Sequence, residues 1–134
     1  MTEPKSGRSP YVEVELLDGE SVVDEQYARY GDRWYRPSGK IFLTNRRLIF
    51  SPRRNIIGPS AAPKEINLEH VNALGRRSGD WISRLLIWGQ NADAWFIDDG
   101  AERHWFDLGF GWNKIWLEKL SKRLGLAVTS TDEG

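Results

Sequence analysis

GKIFLTNRRLIFSPRR, residues Gly39 to Arg54, is the stretch whose reading decides the fold. Two short runs rich in Ile, Phe and Leu, Lys40 to Thr44 and Arg47 to Phe50, flank an Asn45-Arg46 joint. Asn tolerates the positive φ that a two-residue turn demands, so apolar β-formers on both sides of it predict a hairpin. Ile41 and Leu43 share one face of the first strand, and Leu48 and Phe50 share one face of the second. Pro52 has no N–H to give a ladder, so the second strand stops there or runs at an edge.

Upstream of the hairpin, Ser21 to Tyr30 predicts a long strand with Val23 and Tyr27 on one face. Tyr11 to Leu17 alternates apolar and acidic residues and reads as a short strand or a helical turn, followed by a turn at Asp18-Gly19. Gly31 to Ser38 is a loop that carries Trp34 and Tyr35 between Arg33 and Arg36. Downstream, Ser51 to Pro63 holds three prolines and a glycine and predicts an irregular loop with an apolar pair, Ile56-Ile57, inside it. In Lys64 to Leu74, Ile66 and Leu68 are in phase and Val71 is not, which predicts a bulge or bend near Glu69-His70. Ile82 to Trp88, Trp95 to Ile97 and Arg103 to Leu108 predict further strands, with turns at Gln90 to Asp93 and Asp99-Gly100.

After Leu108 the period changes. Trp112, Trp116, Leu117, Leu120 and Leu124 fall within about 140° on a 3.6-residue wheel, with Lys114, Glu118, Ser121 and Lys122 opposite. An amphipathic helix over Trp112 to Leu124 follows, with Lys119, Lys122 and Arg123 suiting its dipole and Gly125 suiting the position just past its end. Trp112 and Trp116 are assigned to the core.

The chain has 134 residues, enough for one domain, which is expected over 11–125 between disordered tails at 1–10 and 126–134. No cysteine is present, so disulfides and thiolate metal sites are excluded. No apolar run approaches the roughly 18 residues of a membrane span. The first ten residues have no apolar core of the kind a signal peptide carries, so the expected address is cytoplasmic.

Charge is unevenly spread. Lysines and arginines equal aspartates and glutamates over the whole chain, yet Arg33 to Lys64 carries eight bases and no acid, a net of +8. The flanking segments, 1–32 and 65–134, carry −5 and −3. Such a block presents a local positive field that the overall balance hides.

Around seven antiparallel strands followed by one C-terminal helix suit two bent sheets packed nearly orthogonally, with the helix plugging an open corner. The chain resembles a pleckstrin-homology-like domain, and within that superfamily the GRAM subgroup. The likeness rests on the run Gly39 to Phe50, which reads G-x-hydrophobic-hydrophobic-x-T-N-x-R-L-hydrophobic-F. The Glu65 to Val71 run and the closing helix with Trp116 extend it over roughly Glu20 to Leu124. The resemblance implies a PH-like barrel of about seven antiparallel strands capped by the helix. It also implies a module that binds an anionic phospholipid or, alternatively, a protein partner such as a peptide laid along a strand edge. Many lipid-binding members carry a lysine followed by a basic-x-Arg triplet; here Lys40 is followed by Ile41-Phe42, which points toward loose electrostatic attachment.

No nucleophile elbow, phosphate-binding loop, dinucleotide fingerprint or zinc-protease motif is present. No catalytic residue, metal site or cofactor is expected. Asp98-Asp99 before Gly100 reads as a hairpin turn, and His104 as a packed or surface histidine. The candidate anion-binding residues are Arg33, Arg36, Lys40, Arg53, Arg54 and Lys64. The candidate membrane-inserting residues are Trp34, Tyr35, Ile56 and Ile57; the alternative for Trp34-Tyr35 is that one of them caps the barrel end. A nucleic-acid role is disfavoured, because a dedicated binder carries an excess of positive charge.

Overall fold

The computed structural model describes residues 9–31, 36–77, 94–109 and 111–131. The expected strand over Ile82 to Trp88, the turn at Gln90 to Asp93, and Arg33, Trp34 and Tyr35 lie outside the described residues. In chain order the elements are β1 (Val22–Tyr30), β2 (Ser38–Thr44), β3 (Arg47–Pro52), β4 (Lys64–Asn67), a 3-10 turn (Leu68–His70), β5 (Ala73–Arg77), β6 (Trp95–Asp98), β7 (Arg103–Asp107), α1 (Trp112–Leu124) and β8 (Val128–Thr131).

The eight strands form one sheet in the order β4-β3-β2-β1-β7-β6-β5-β8. Every described ladder is antiparallel except β5 with β8, which is parallel. Among the described residues the chain is therefore mostly β with one helix near its C-terminus, as expected. The sheet is mixed and not closed into a barrel, with β4 and β8 as its edges among the described residues, so the all-antiparallel closed arrangement does not stand. The expected C-terminal tail is corrected at 128–131, which is β8. The phase slip after Leu68 is the expected bend rather than a bulge: the 3-10 turn over Leu68–His70 ends β4 before β5 starts.

The predicted hairpin forms with Leu43 opposite Leu48 and Ile41 opposite Phe50. Its turn is fixed by side chains. Thr44 Oγ1 accepts from the backbone N–H groups of Arg46 and Arg47 (3.0 and 2.8 Å) and donates to Glu20 Oε2 (2.6 Å). Asn45 Oδ1 accepts from Ser21 N–H, and its amide donates to Gly19 O, tying the hairpin to the loop before β1. Gly39, paired with Pro52, lets β2 and β3 close up: a Cβ there would stand 2.8 Å from Pro52 Cα and 2.9 Å from Phe50 Cζ.

One core gathers side chains from most of the sheet and from the helix: Ala28, Ile41, Leu43, Leu48, Phe50, Ile66, Leu74, Trp95, Ile97, Phe106, Trp116, Leu117 and Leu120. A sheet that feeds one cluster from so many strands must curve around it. Val23, at a register shift between Val22 and Asp24, and Tyr27 are both exposed, while Ala28 points into the core. On the outer face of β3, residues 9–16 lie across Ile49 and Ser51. Val12 N–H donates to Pro52 O (2.9 Å), Arg54 N–H to Pro10 O (2.7 Å) and Ser51 Oγ to Val12 O. This segment has one isolated bridge, Tyr11 with Arg53, in place of the expected strand or helical turn.

The helix begins and ends where the sequence predicts. Asn113 Oδ1 accepts from Leu108 N–H (2.6 Å) and its amide donates to Asp107, which anchors the first turn. Gly125, at φ +69°, donates its N–H to Ser121 O and ends the helix. Trp116 is 1 % exposed, as expected for core, whereas Trp112 is 48 % exposed and is not a core residue.

Candidate functional site: the basic end of the sheet

Antiparallel pairing of Arg29 with Ser38 and Gly39 with Pro52 places the β1–β2 and β3–β4 connections at one end of the sheet. The β7–α1 connection joins them there, because Asp107 pairs with Arg29. The site is built from side chains at this end. Arg29 and Arg53 are exposed and line a cleft of about 690 Å³ that is walled by Tyr11 and Tyr27 and bordered by Asp107 and Gly109.

The candidate anion-binding residues separate into two groups. Arg36 lies against Asp107 at 3.5 Å, and burial, acting against that ion pair, lowers its pKa, with the charges of Arg29 and Arg77 adding to the effect. Lys40 is held on the outer face by Glu25 (2.6 Å), whose hydrogen bond raises its pKa. The rings of Tyr11, Tyr27 and Phe42 stand within 6 Å of the ammonium at 5.9, 5.5 and 5.8 Å. These two cations stabilise the sheet locally. Arg53, Arg54 and Lys64 form the second group. Arg54 Nε donates to Ser9 O (3.0 Å), and Lys64 is exposed with its ammonium 5.9 Å from the Tyr30 ring centre.

Ile56 and Ile57 are 99 % and 88 % exposed. Their loop folds on itself: Asn55 N–H donates to Ser60 Oγ (2.8 Å) and Asn55 Nδ2 to Pro59 O (2.6 Å). The two isoleucines are thus presented at a cross-linked tip, directly after Arg53-Arg54 in sequence.

Two further polar clusters lie elsewhere. Glu20 is buried against Arg47 (2.6 Å to Nη2, 2.8 Å to Nε), and Arg47 also reaches Glu65 (2.6 Å). Hydrogen bonding from Arg47, outweighing burial, lowers the Glu20 carboxyl to about 2. His104, 3 % exposed, has one ring nitrogen 2.8 Å from Tyr30 Oη and the other 2.9 Å from Asp99 Oδ2. Burial, with the charges of Glu102 and Asp99, pushes the Tyr30 hydroxyl up to about 12. Backbone donation from Glu102, then His104 and the Ala101 N–H, holds Asp99 well below the usual carboxylate range. Asp99 is thereby the turn residue that the sequence predicts, with Gly100 at φ +92° beside it. Among the described residues no cluster of three or more histidines and carboxylates could hold a metal ion. No described helix is long and apolar enough to cross a membrane.

Sequence reasoning did not find the Tyr11 and Tyr27 walls of the cleft. Tyr11 reaches it only through its bridge to Arg53, and nothing local to the sequence signals that bridge. No family model matches the chain, and no curated protein matches it in sequence. Among solved structures it is similar to the crystal structure of the C-terminal domain of an unknown protein from Leishmania infantum. The TM-score is 0.57 at 14 % identity, over 80 % of this chain and 86 % of that one. At that identity the likeness concerns the fold alone.

Proposed function

We propose that this chain is a non-enzymatic, cytoplasmic binding module of the PH-like, GRAM-type class that attaches peripherally to membranes containing anionic phospholipid. The observation that carries this reading is the pairing of Arg53-Arg54 with the exposed Ile56-Ile57 tip, at the sheet end that also presents Arg29. Each cation close to an anionic leaflet is worth about 1 kcal/mol, and the attraction decays within a Debye length of roughly 8 Å at physiological salt. Full burial of an isoleucine side chain adds about 1.5–3 kcal/mol. Neither term alone gives more than marginal attachment; together they give reversible, salt-sensitive binding. Arg36 and Lys40, engaged by Asp107 and Glu25, are assigned supporting roles.

The test is sedimentation with vesicles of phosphatidylcholine, with and without phosphatidylserine. Arg53→Glu with Arg54→Glu is expected to abolish the salt-dependent part. Ile56→Ser with Ile57→Ser is expected to weaken the part that survives high salt. A wild-type chain that ignores phosphatidylserine vesicles at low salt overturns the reading.

A further inference from the structure

β8 is attached unlike the other strands. Among the described residues it is the one parallel strand and lies at the sheet edge, pairing Leu74 with Val128, Gly75 with Thr129, Arg76 with Ser130 and Arg77 with Thr131. Val128, Thr129 and Ser130 are exposed, so side-chain burial contributes little to holding the strand. Its attachment is the main-chain ladder plus one close approach. A Cβ built at Gly75 would stand 2.5 Å from the Thr129 carbonyl oxygen and 2.7 Å from Phe96 Cζ, and would also collide with the Thr129 hydroxyl oxygen. Only glycine leaves that space for a neighbouring strand. Thr129 Oγ1 donates across it to Leu74 O (3.3 Å).

The geometry points to the edge of β5 as a receiving edge for an extended peptide, occupied here by the chain's own residues 128–131. The partner it fits is a segment that runs parallel to β5, sets a threonine over Gly75 and continues into acidic residues. The acidic preference follows from charge: the exposed Arg76 of β5 lies opposite Ser130, and the resident chain continues as Asp132-Glu133. Main-chain pairing supplies the affinity and the glycine notch the specificity, as in strand addition generally. A tethered strand competes at an effective concentration in the millimolar range. A partner's apparent affinity is then reduced by the fraction of time the edge is open. This inference is independent of membrane attachment.

The experiment uses the full chain and a labelled peptide of residues 126–133, LAVTSTDE. Successive N–H groups of a strand point to opposite edges, so Thr129→Pro with Ser130→Pro removes a ladder donor whichever residue supplies it. That variant is expected to free the edge and bind the peptide at least tenfold more tightly than wild type, with an unchanged unfolding transition. A peptide carrying the same two prolines is expected not to bind, and adding Gly75→Val to the opened chain is expected to abolish binding of the native peptide. Equal binding of the native and the proline peptides, or no binding by the opened chain, overturns the inference. So does self-association of the opened chain that the native peptide fails to compete.

Discussion

Thr44, Asn45 and Arg47 stand in and beside the turn of the central hairpin, and each spends its polar atoms on bonds within the fold. Thr44 and Asn45 satisfy turn N–H groups and tie the loop at 19–21, while Arg47 pairs with Glu20 beneath them. Removing one partner of a buried ion pair costs about 3–5 kcal/mol, because the other charge is left uncompensated. Arg47 keeps Glu65, so Glu20→Gln is expected to cost about 3 kcal/mol, the lower end of that range. Glu20 is lowered from 4.5 to about 2 in the fold, so its contribution is fully present above about pH 4.5 and is lost as pH falls toward 2. Asp99, also lowered, acts with the same sign. Tyr30, raised to about 12 from 10, acts with the opposite sign: its contribution is present below pH 10 and is lost as pH rises toward 12. Unfolding midpoints measured from pH 2 to 7 check the carboxylates and those from pH 9 to 12 check the tyrosine, and Glu20→Gln should flatten the acid limb. A variant limb as steep as wild type would remove Glu20 as its source. The motif was legible as a turn; its role as a lock was not, because Glu20 lies 27 residues from Arg47 and nothing local pairs them.

At the scale of elements, legibility follows how strongly an element's own side chains are buried. The helix was readable to its ends because Trp116, Leu117 and Leu120 make a periodic apolar face. Its first turn was misread: Trp112 shares the apolar pattern yet stands half exposed, and periodicity does not report where the covering sheet stops. Trp116→Ala is expected to cost about 3–5 kcal/mol, as for a large aromatic removed from a core. Trp112→Ala is expected to change stability by no more than about 0.5 kcal/mol, the range of surface changes. Denaturant titrations of both variants separate the two positions; equal losses would show that Trp112 packs after all. β8 was invisible for the converse reason. Val-Thr-Ser-Thr carries almost no apolar signal, and its strand exists through main-chain pairing to an edge some fifty residues away in sequence. The basic end was half readable. The acid-free block gathers these cations, but only the antiparallel register separates Arg53 and Arg54 at the rim from Arg36 and Lys40 in ion pairs.

At the scale of the whole molecule, two runs of strands, β4-β3-β2-β1 and β7-β6-β5-β8, meet along a narrow seam. Among the described residues, Arg29 with Asp107 and Tyr30 with Phe106 are the pairs across it, joined by the Gly31 N–H donating to Trp105 O (2.9 Å). Tyr30 reinforces the seam from within. Its ring stacks on Phe50 of β3 at 5.4 Å and tilts against Phe106 of β7 at 5.2 Å, while its hydroxyl meets buried His104. The central hairpin, by contrast, is paired along its length and does not depend on the seam. Local opening free energies track such differences in support. Tyr30→Phe keeps the ring and leaves a buried histidine nitrogen without its partner, a cost of about 1–3 kcal/mol. If that cost falls on the seam, the Gly31 amide should exchange with solvent roughly tenfold or more faster in the variant, at about 1.4 kcal/mol per factor of ten. The amides of Ile41 and Leu48 should hold their wild-type rates until global unfolding takes over. Native-state hydrogen exchange resolves the two cases: equal acceleration at all three amides would mean that the two halves of the sheet open only together.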